Sequence, residues 1–276
     1  MWDIKGNILM RFENIKKNKQ GYKPIGFVLL NNIEFDIDFF LFKLEKEWNI
    51  EVTKTHRSTE ENGMINLSFW IDEVQFICTL IPCPFPYNEA VDDSKLNYLW
   101  ENAVEEVSGH KAIISVAIIK NYCLEQIKTC ILFTKVCNSL MLLPYTCAMY
   151  MSKQHLIIEP QQYRDSINII KAAESHGQNF LPVQNWVRVG LYQDENECSG
   201  YTCGLKEFNK SELEILYKNI ELVKIYQILN MIVSNILCQN MNIQNGDIIN
   251  LNEELEVIVK KSEGVFVEEE TLKIIL

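Results

Sequence analysis

No apolar run in the 276-residue chain reaches the ~18 residues that a bilayer span requires. The start, Met1-Trp2-Asp3-Ile4-Lys5, lacks the charged and hydrophobic regions of a signal peptide. A cytoplasmic protein without membrane contact is therefore expected. Basic residues are too few for a phosphate-backbone partner: 26 Lys and Arg against 37 Asp and Glu give a net charge of −11, so no nucleic-acid partner is expected. The single basic cluster, Lys16-Lys17-Asn18-Lys19, reads as a solvated polar stretch. Only four histidines occur, His56, His110, His155 and His176, and the chain has no HExxH, CxxC or HxH spacing, so neither a metal nor a cofactor is expected. It also has no Walker loop, no GxGxxG after a strand and no GxSxG elbow, which removes the usual sequence support for nucleotide and serine-hydrolase chemistry.

What is present is a compact-core composition, 47% hydrophobic with only 7 prolines, which predicts one globular unit over residues 1–276, with sub-halves at 25–143 and 144–276 as the alternative division. Nine cysteines, an odd number without a framework spacing, read as reduced free thiols. Cys123, Cys130 and Cys137 recur every seven residues on one helix face. Thiols two turns apart lie ~10 Å from one another, too far to share an ion, so they read as small packing residues.

Periodicity then orders the chain. Ile25–Leu30 reads as a buried strand, and Asp36 caps an amphipathic helix over 37–48. After Val52 and a loop at Glu60–Gly63, alternation at 65–71 and an apolar return at 74–81 predict an antiparallel hairpin, stopped by Pro82, Pro84 and Pro86. A helix is expected over 95–106 with Leu96, Leu99, Trp100 and Ala103 on one stripe, ended by Gly109. A central strand follows at 112–119, and a helix at 122–142. Short strands at 147–151 and 155–158, a helix from Ser166 to Ser175 capped by Asp165, and a strand from Trp186 to Tyr192 complete the middle of the chain. Strands are expected at 255–259, 265–267 and 272–275, after a turn at Asn245-Gly246-Asp247.

The irregular interleaving points to an α+β fold of mostly antiparallel sheets packed by helices. Its N-terminal half has a ferredoxin-like element order, and a degenerate second copy would occupy 147–276.

The most densely patterned stretch is Tyr201-Thr202-Cys203-Gly204-Leu205-Lys206-Glu207-Phe208, followed by Glu212-Leu213-Glu214-Ile215. It joins a polar loop, Asp194 to Gly200, to alternating acidic and aliphatic residues. Ser211-Glu212-Leu213-Glu214 is formally a capping box for one helix reaching Cys238, ~40 Å long. The competing reading is a strand, with Asn219 capping a helix over 220–238. This stretch resembles the signature of a bacterial family known as domain of unknown function 4261. Gly26–Leu30, Pro82–Pro86, His110–Ala112, Leu132–Lys135, Asn185–Tyr192 and Asn245–Asp247 resemble further family segments in the same order. Where the signature expects glycine after its Phe, this chain has Asn209, which tolerates positive φ. The family carries no established activity, so the resemblance implies no catalytic residue.

Two functional readings follow. In the first, a non-enzymatic binding protein, partner-neutralising or defence-associated in a bacterium, uses an acidic surface near 201–215 to meet a basic protein. Its candidate residues are Tyr201, Thr202, Glu207, Glu212, Glu214 and His110, with Asp194, Glu195 and Glu197 extending the same surface. In the second, an enzyme uses His110 as a base, Cys203 as a nucleophile, or the Glu212/Glu214 pair, whose carboxylates would lie ~6.5 to 7 Å apart on one strand face. The bland alternatives are a His capping a strand, a buried thiol and a solvated strand face. Trp70 and Trp100 read as packing residues rather than a stacking platform.

Overall fold

The computed structural model of the chain describes residues 23–122, 124–177, 180–251 and 255–276. Cys123 and the basic cluster at 16–19 lie outside them. Among the described residues there are six α-helices and thirteen strands in two mostly antiparallel sheets, the expected α+β class. No helix among them is long and apolar enough to cross a membrane. The chain divides into two compact units, one up to Ser152 with Ile157–Tyr163, the other Lys153–Leu156 with Arg164–Leu276.

The first unit holds a seven-stranded sheet in the order β2-β3-β4-β5-β1-β6-β7. These strands are β1 Ile25–Leu30, β2 Thr53–Thr59, β3 Ile65–Ile71, β4 Val74–Ile81, β5 Ala112–Asn121, β6 Thr146–Met151 and β7 Leu156–Ile158. β5 is central as expected, paired antiparallel with β4 on one side and β1 on the other, and its run Ala112–Ile118 is buried throughout. Helix α1 (Ile37–Trp48) starts at Asp36, whose carboxylate accepts from Phe39 N at 2.9 Å. It buries Phe40 against Phe69 of β3, ring centroids 5.8 Å apart.

The ferredoxin-like ordering is corrected. That arrangement would put β1 beside β4, whereas β5 separates them and β1 pairs instead with β5 and β6. Element order along a chain does not select which buried strands pair; here β6 supplies a second neighbour to β1.

Between β4 and β5 the expected long helix is replaced by two short ones, α2 (Glu89–Ser94) and α3 (Ala103–Ser108). Asn97 interrupts it: its side-chain amide donates to Ile157 O at 2.9 Å while its Oδ1 accepts from Leu99 N at 3.0 Å, roles that compete with helical backbone bonds. Leu96 and Leu99 are consequently exposed, and only Trp100 and Ala103 of the expected stripe are buried. Helix α4 (Gln126–Met141) buries Cys130 and Cys137, as packing residues would be. The eight described cysteines are free thiols.

Helix α5 (Pro160–His176), which belongs to the second unit from Arg164 on, begins five residues before the expected cap at Asp165, with proline at its first position, where a missing N–H costs nothing. Gly177, at φ 64°, ends it. A six-stranded sheet follows in the order β11-β12-β13-β10-β9-β8. Its strands are β8 Arg188–Asp194, β9 Glu197–Cys203, β10 Leu213–Lys218, β11 Ile248–Asn250, β12 Glu256–Glu263 and β13 Glu270–Ile275. Trp186 precedes β8 rather than opening it. The polar stretch 194–200 is a tight hairpin, not a loop, with Glu195 at φ 45°.

After Ser211 the chain forms a strand, Leu213–Lys218, and not a helix, and α6 (Leu222–Cys238) begins after Glu221 rather than Asn219. Helix α6 lies on β8 and β9. It comes so close that a Cβ on Gly200 would stand 2.4 Å from Ile225 Cγ2. Within this sheet β10 and β13 are parallel, and the strand order does not repeat that of the first unit. Residues 265–267 form no strand, for a reason that lies in the site.

Candidate functional site

At the end of β9 the chain reverses at Gly204, φ 130°, where a Cβ would stand 2.5 Å from the Trp186 carbonyl oxygen. Any side chain there forces the corner open. A single 3-10 turn, Leu205–Phe208, follows, and Asn209 closes it at φ 56°, accommodating the left-handed conformation. Leu205 is fully buried, and Phe208 packs on Trp186 with ring centroids 5.9 Å apart.

Glu212 holds this corner from beneath. Its Oε1 accepts from Gly204 N at 2.8 Å and Lys206 N at 3.0 Å, and its Oε2 from the Thr202 hydroxyl at 2.6 Å. The Thr202 oxygen in turn accepts from Leu213 N at 2.8 Å.

Glu214 does the equivalent work for the chain between β12 and β13. Its carboxylate accepts from Val265 N, Phe266 N at 2.7 Å, the Thr271 hydroxyl at 2.9 Å and Lys273 Nζ at 2.6 Å. The backbone N–H groups of 265 and 266 are therefore spent on a side chain and not on a neighbouring strand, which is why no strand forms there. Burial pushes the Glu214 carboxyl up, but the bonds from Lys273, Phe266, Thr271 and Val265 outweigh it and hold it below its ordinary value of 4.5.

The expectation that Glu212 and Glu214 form a solvated acidic face is thus corrected: they are 7% and 0% exposed. Glu214 lies on β10, an inner strand between β13 and β9, and Glu212 directly precedes it; the segments 204–209 and 264–269 bring their N–H groups onto these two carboxylates.

The other candidates are placed as follows. Tyr201 is half-buried: its ring stacks on Phe266 at 5.2 Å and 7°, and its hydroxyl accepts from Arg188 Nη2 at 2.9 Å. Thr202 is fully buried. Glu207 pairs with Lys153 at 3.0 Å. Asp194, Glu195 and Glu197 are exposed at the β8–β9 hairpin tip. They do not join the corner, because the six steps of β9 from 197 to 203 separate the two by about 20 Å.

A polar cavity of about 220 Å³ does lie at the corner, lined by residues that include Lys206, Lys210, Ser211 and Glu268–Thr271. Its acids are largely matched, Lys206 with Glu269 and Lys261 with Glu270. Lys210 donates to Asn242 Oδ1, Asn240 Oδ1 and the Met241 carbonyl, all neutral acceptors.

His110 belongs to the first unit and Cys203 to the second, and each has contacts of its own. Taking Nδ1 as the protonated nitrogen, the imidazole donates to the Val107 carbonyl at 2.5 Å, and Nε2 accepts from Phe85 N at 2.8 Å. Burial lowers its pKa, with the Val107 bond opposing. Both nitrogens are engaged, and the residue pins the proline-rich segment to the end of α3. Cys203 Sγ lies 3.8 Å from the Lys153 carbonyl.

Sequence reasoning passed over one cluster in the first unit. Tyr150 of β6 donates to Asp93 at 2.6 Å and approaches Glu89 at 3.2 Å, the two carboxylates standing four residues apart on α2. A hydroxyl has one proton, so the shorter contact takes it. Burial, then Asp93 and Glu89, raise the phenol's pKa and keep it protonated. The signal available in sequence was the i, i+4 acid spacing in 89–93, which points to chemistry only once a third group is placed beside it.

No curated protein and no solved structure matches the chain. Residues 201–275, which contain the Gly204 corner, both buried carboxylates and the strands they tie together, match the model of a family described as a domain of unknown function (DUF4261), the family that the 201–215 signature resembles.

Proposed function

We propose that the chain is a non-catalytic interaction protein whose second unit meets a basic partner through the β8–β9 hairpin tip. One observation carries this reading: Asp194, Glu195 and Glu197 are all exposed at or beside the two-residue turn 195–196, and among the described residues no cation pairs with them. Exposed Tyr192 and Tyr217, 46% and 50% accessible, lie next to them. Ser199 links the two, opposite Tyr192 in the ladder and accepting from Tyr217 N at 2.9 Å. Fixed acids beside exposed tyrosines form a surface that steers and then grips a cationic polypeptide. Saturation of the Glu212, Glu214 and His110 side chains by structural hydrogen bonds supports binding over acid/base chemistry.

The test is titration of a Lys/Arg-rich probe peptide. Association should slow as salt rises, and the triple variant Asp194→Asn/Glu195→Gln/Glu197→Gln should bind at least about tenfold more weakly. Equal binding by the variant would overturn the reading.

A further inference from the structure

We infer that the first unit carries a second, oppositely charged docking surface: the outer edge of β2, which takes an extended acidic peptide segment as an added strand. β2 ends the seven-stranded sheet, so among the described residues one side of its backbone has no partner strand. All seven residues, Thr53–Thr59, are exposed, which leaves the strand held by its ladder to β3 and by the Arg57–Asp38 pair at 2.6 Å. In a chain with 37 acidic residues this strand has none, and it carries Lys54, His56 and Arg57.

The local backbone aims one of these cations. The β2–β3 register slips between Thr53 and His56, and Lys54 sits in the slip at φ 49°. A bulge of this kind re-aims a side chain, and a non-glycine residue in the left-handed region persists only where its surroundings hold it. Here the Lys54 ammonium lies 5.1 Å from the Trp70 ring centre. Lys120 approaches the same ring at 5.7 Å, and exposed Tyr122 stacks on it at 6.2 Å and 12°. Thr53, Trp70, Gln75 and Lys120 form one cross-strand row running inward from the free edge, so Lys54, Lys120 and the two aromatics share a face, while Arg57, opposite Leu67, lies on the other. Asp72 and Glu73, at the β3–β4 turn, bound that face at one end.

Charge selects the occupant. A second copy adding through its own β2 would set Lys54, His56 and Arg57 against the same residues, and like charges across a ladder repel. An acidic strand inverts that term: its carboxylates meet Lys54 on the Trp70 face or Arg57 on the α1 face while its backbone fills the open edge. Seven residues of edge span about 23 Å, the length of one short peptide strand.

The probe is a labelled heptapeptide alternating Glu and Val, titrated against the full chain at low and physiological salt. Binding should weaken with salt, and Lys54→Glu/Arg57→Glu should reduce affinity at least about tenfold. The same peptide N-methylated at alternate residues should lose binding, because its charges remain but its ladder donors do not. Equal binding of the N-methylated peptide would overturn strand addition, and no binding at millimolar peptide or an undiminished variant would overturn the site. Both substituted residues are exposed, and circular dichroism verifies that the variant is folded. The Lys54→Gln/Arg57→Gln pair, expected to show a smaller loss, gives the same decision if it is not. Neutralising the β8–β9 tip should leave this titration unchanged, which separates it from the basic-partner reading.

Discussion

The two units stabilise their sheets in different ways. The first buries an almost wholly apolar central strand, β5, and packs Phe40 of α1 edge-on against Phe69, which stacks on Phe76, ring centroids 5.8 and 5.4 Å apart. Its buried polar groups are hydroxyls, amides and one imidazole, with Asp93 as the single buried carboxylate among its described residues. The second buries three charged side chains, Glu212, Glu214 and Lys273, in and beside adjacent strands. Removing water from a charge is costly unless every lone pair and proton finds a partner. The second unit meets that demand by folding two loops onto the carboxylates. Its loops are therefore tied to its sheet by ionic and hydrogen bonds, whereas the first unit's core tolerates no such requirement and answers mainly to packing.

The sharpest break in this comparison is Lys273→Met. It leaves Glu214 charged, buried and short of its cation, and should destabilise the second unit by about 3–5 kcal/mol. Hydrogen exchange resolved by segment should show amides of 264–275 losing protection while those of β4 and β5 keep theirs. The double variant Glu214→Gln/Lys273→Met should recover part of that loss. If Lys273→Met is neutral, the pair is not the anchor described.

Of similar size but in the other unit, Phe69→Ala should cost about 3–5 kcal/mol through a cavity between Phe40 and Phe76. Urea unfolding followed by exchange should reverse the pattern, with β3–β5 exposed first. Smaller again, Glu212→Gln should cost about 1.5–3 kcal/mol, since one charged acceptor serving three donors becomes an amide that cannot accept at both ends. The Gly204 corner should loosen, read as faster exchange at 204–206.

Acid should separate the units by window. His110 has a folded-state pKa below its ordinary 6.5, so the unfolded chain takes up the proton first, and stability present above pH 6.5 is lost as pH falls through the lowered value. Glu214 lies below its ordinary 4.5, so its contribution is intact above pH 4.5 and is lost only on further acidification. Melting monitored in each unit should therefore show the first weakening at milder acidity than the second, and a His110→Asn variant should flatten the first unit's profile between those windows. The smallest effect is expected at the hairpin tip: the Asn/Gln triple at 194, 195 and 197 should alter stability by no more than about 0.5 kcal/mol, because these side chains are exposed.

The sequence by itself determined the α+β class, the boundaries of β1, α1, β3 and β4, the start of β5, the left-handed turn at Asn209, and the choice against a continuous helix after Ser211, because each rests on local periodicity or backbone preference. It could not reveal β2, whose Thr-Lys-Thr-His-Arg-Ser-Thr run has no apolar residue to mark a face and forms only because β3 offers a ladder. It misplaced the helix at 95–106, where Asn97 bonds to a carbonyl sixty residues away. Strand order was likewise beyond it, since two apolar strands carry no label for their neighbours.

The largest reversal concerned Glu212 and Glu214. Alternation correctly put Glu214 on a strand, with Glu212 directly before its start, but their surroundings depend on β13 and on loops from distant parts of the chain. A carboxylate is ordinarily read as solvated because desolvation is costly; only the tertiary structure supplies the seven donor groups, from Thr202 to Lys273, that make burial tolerable.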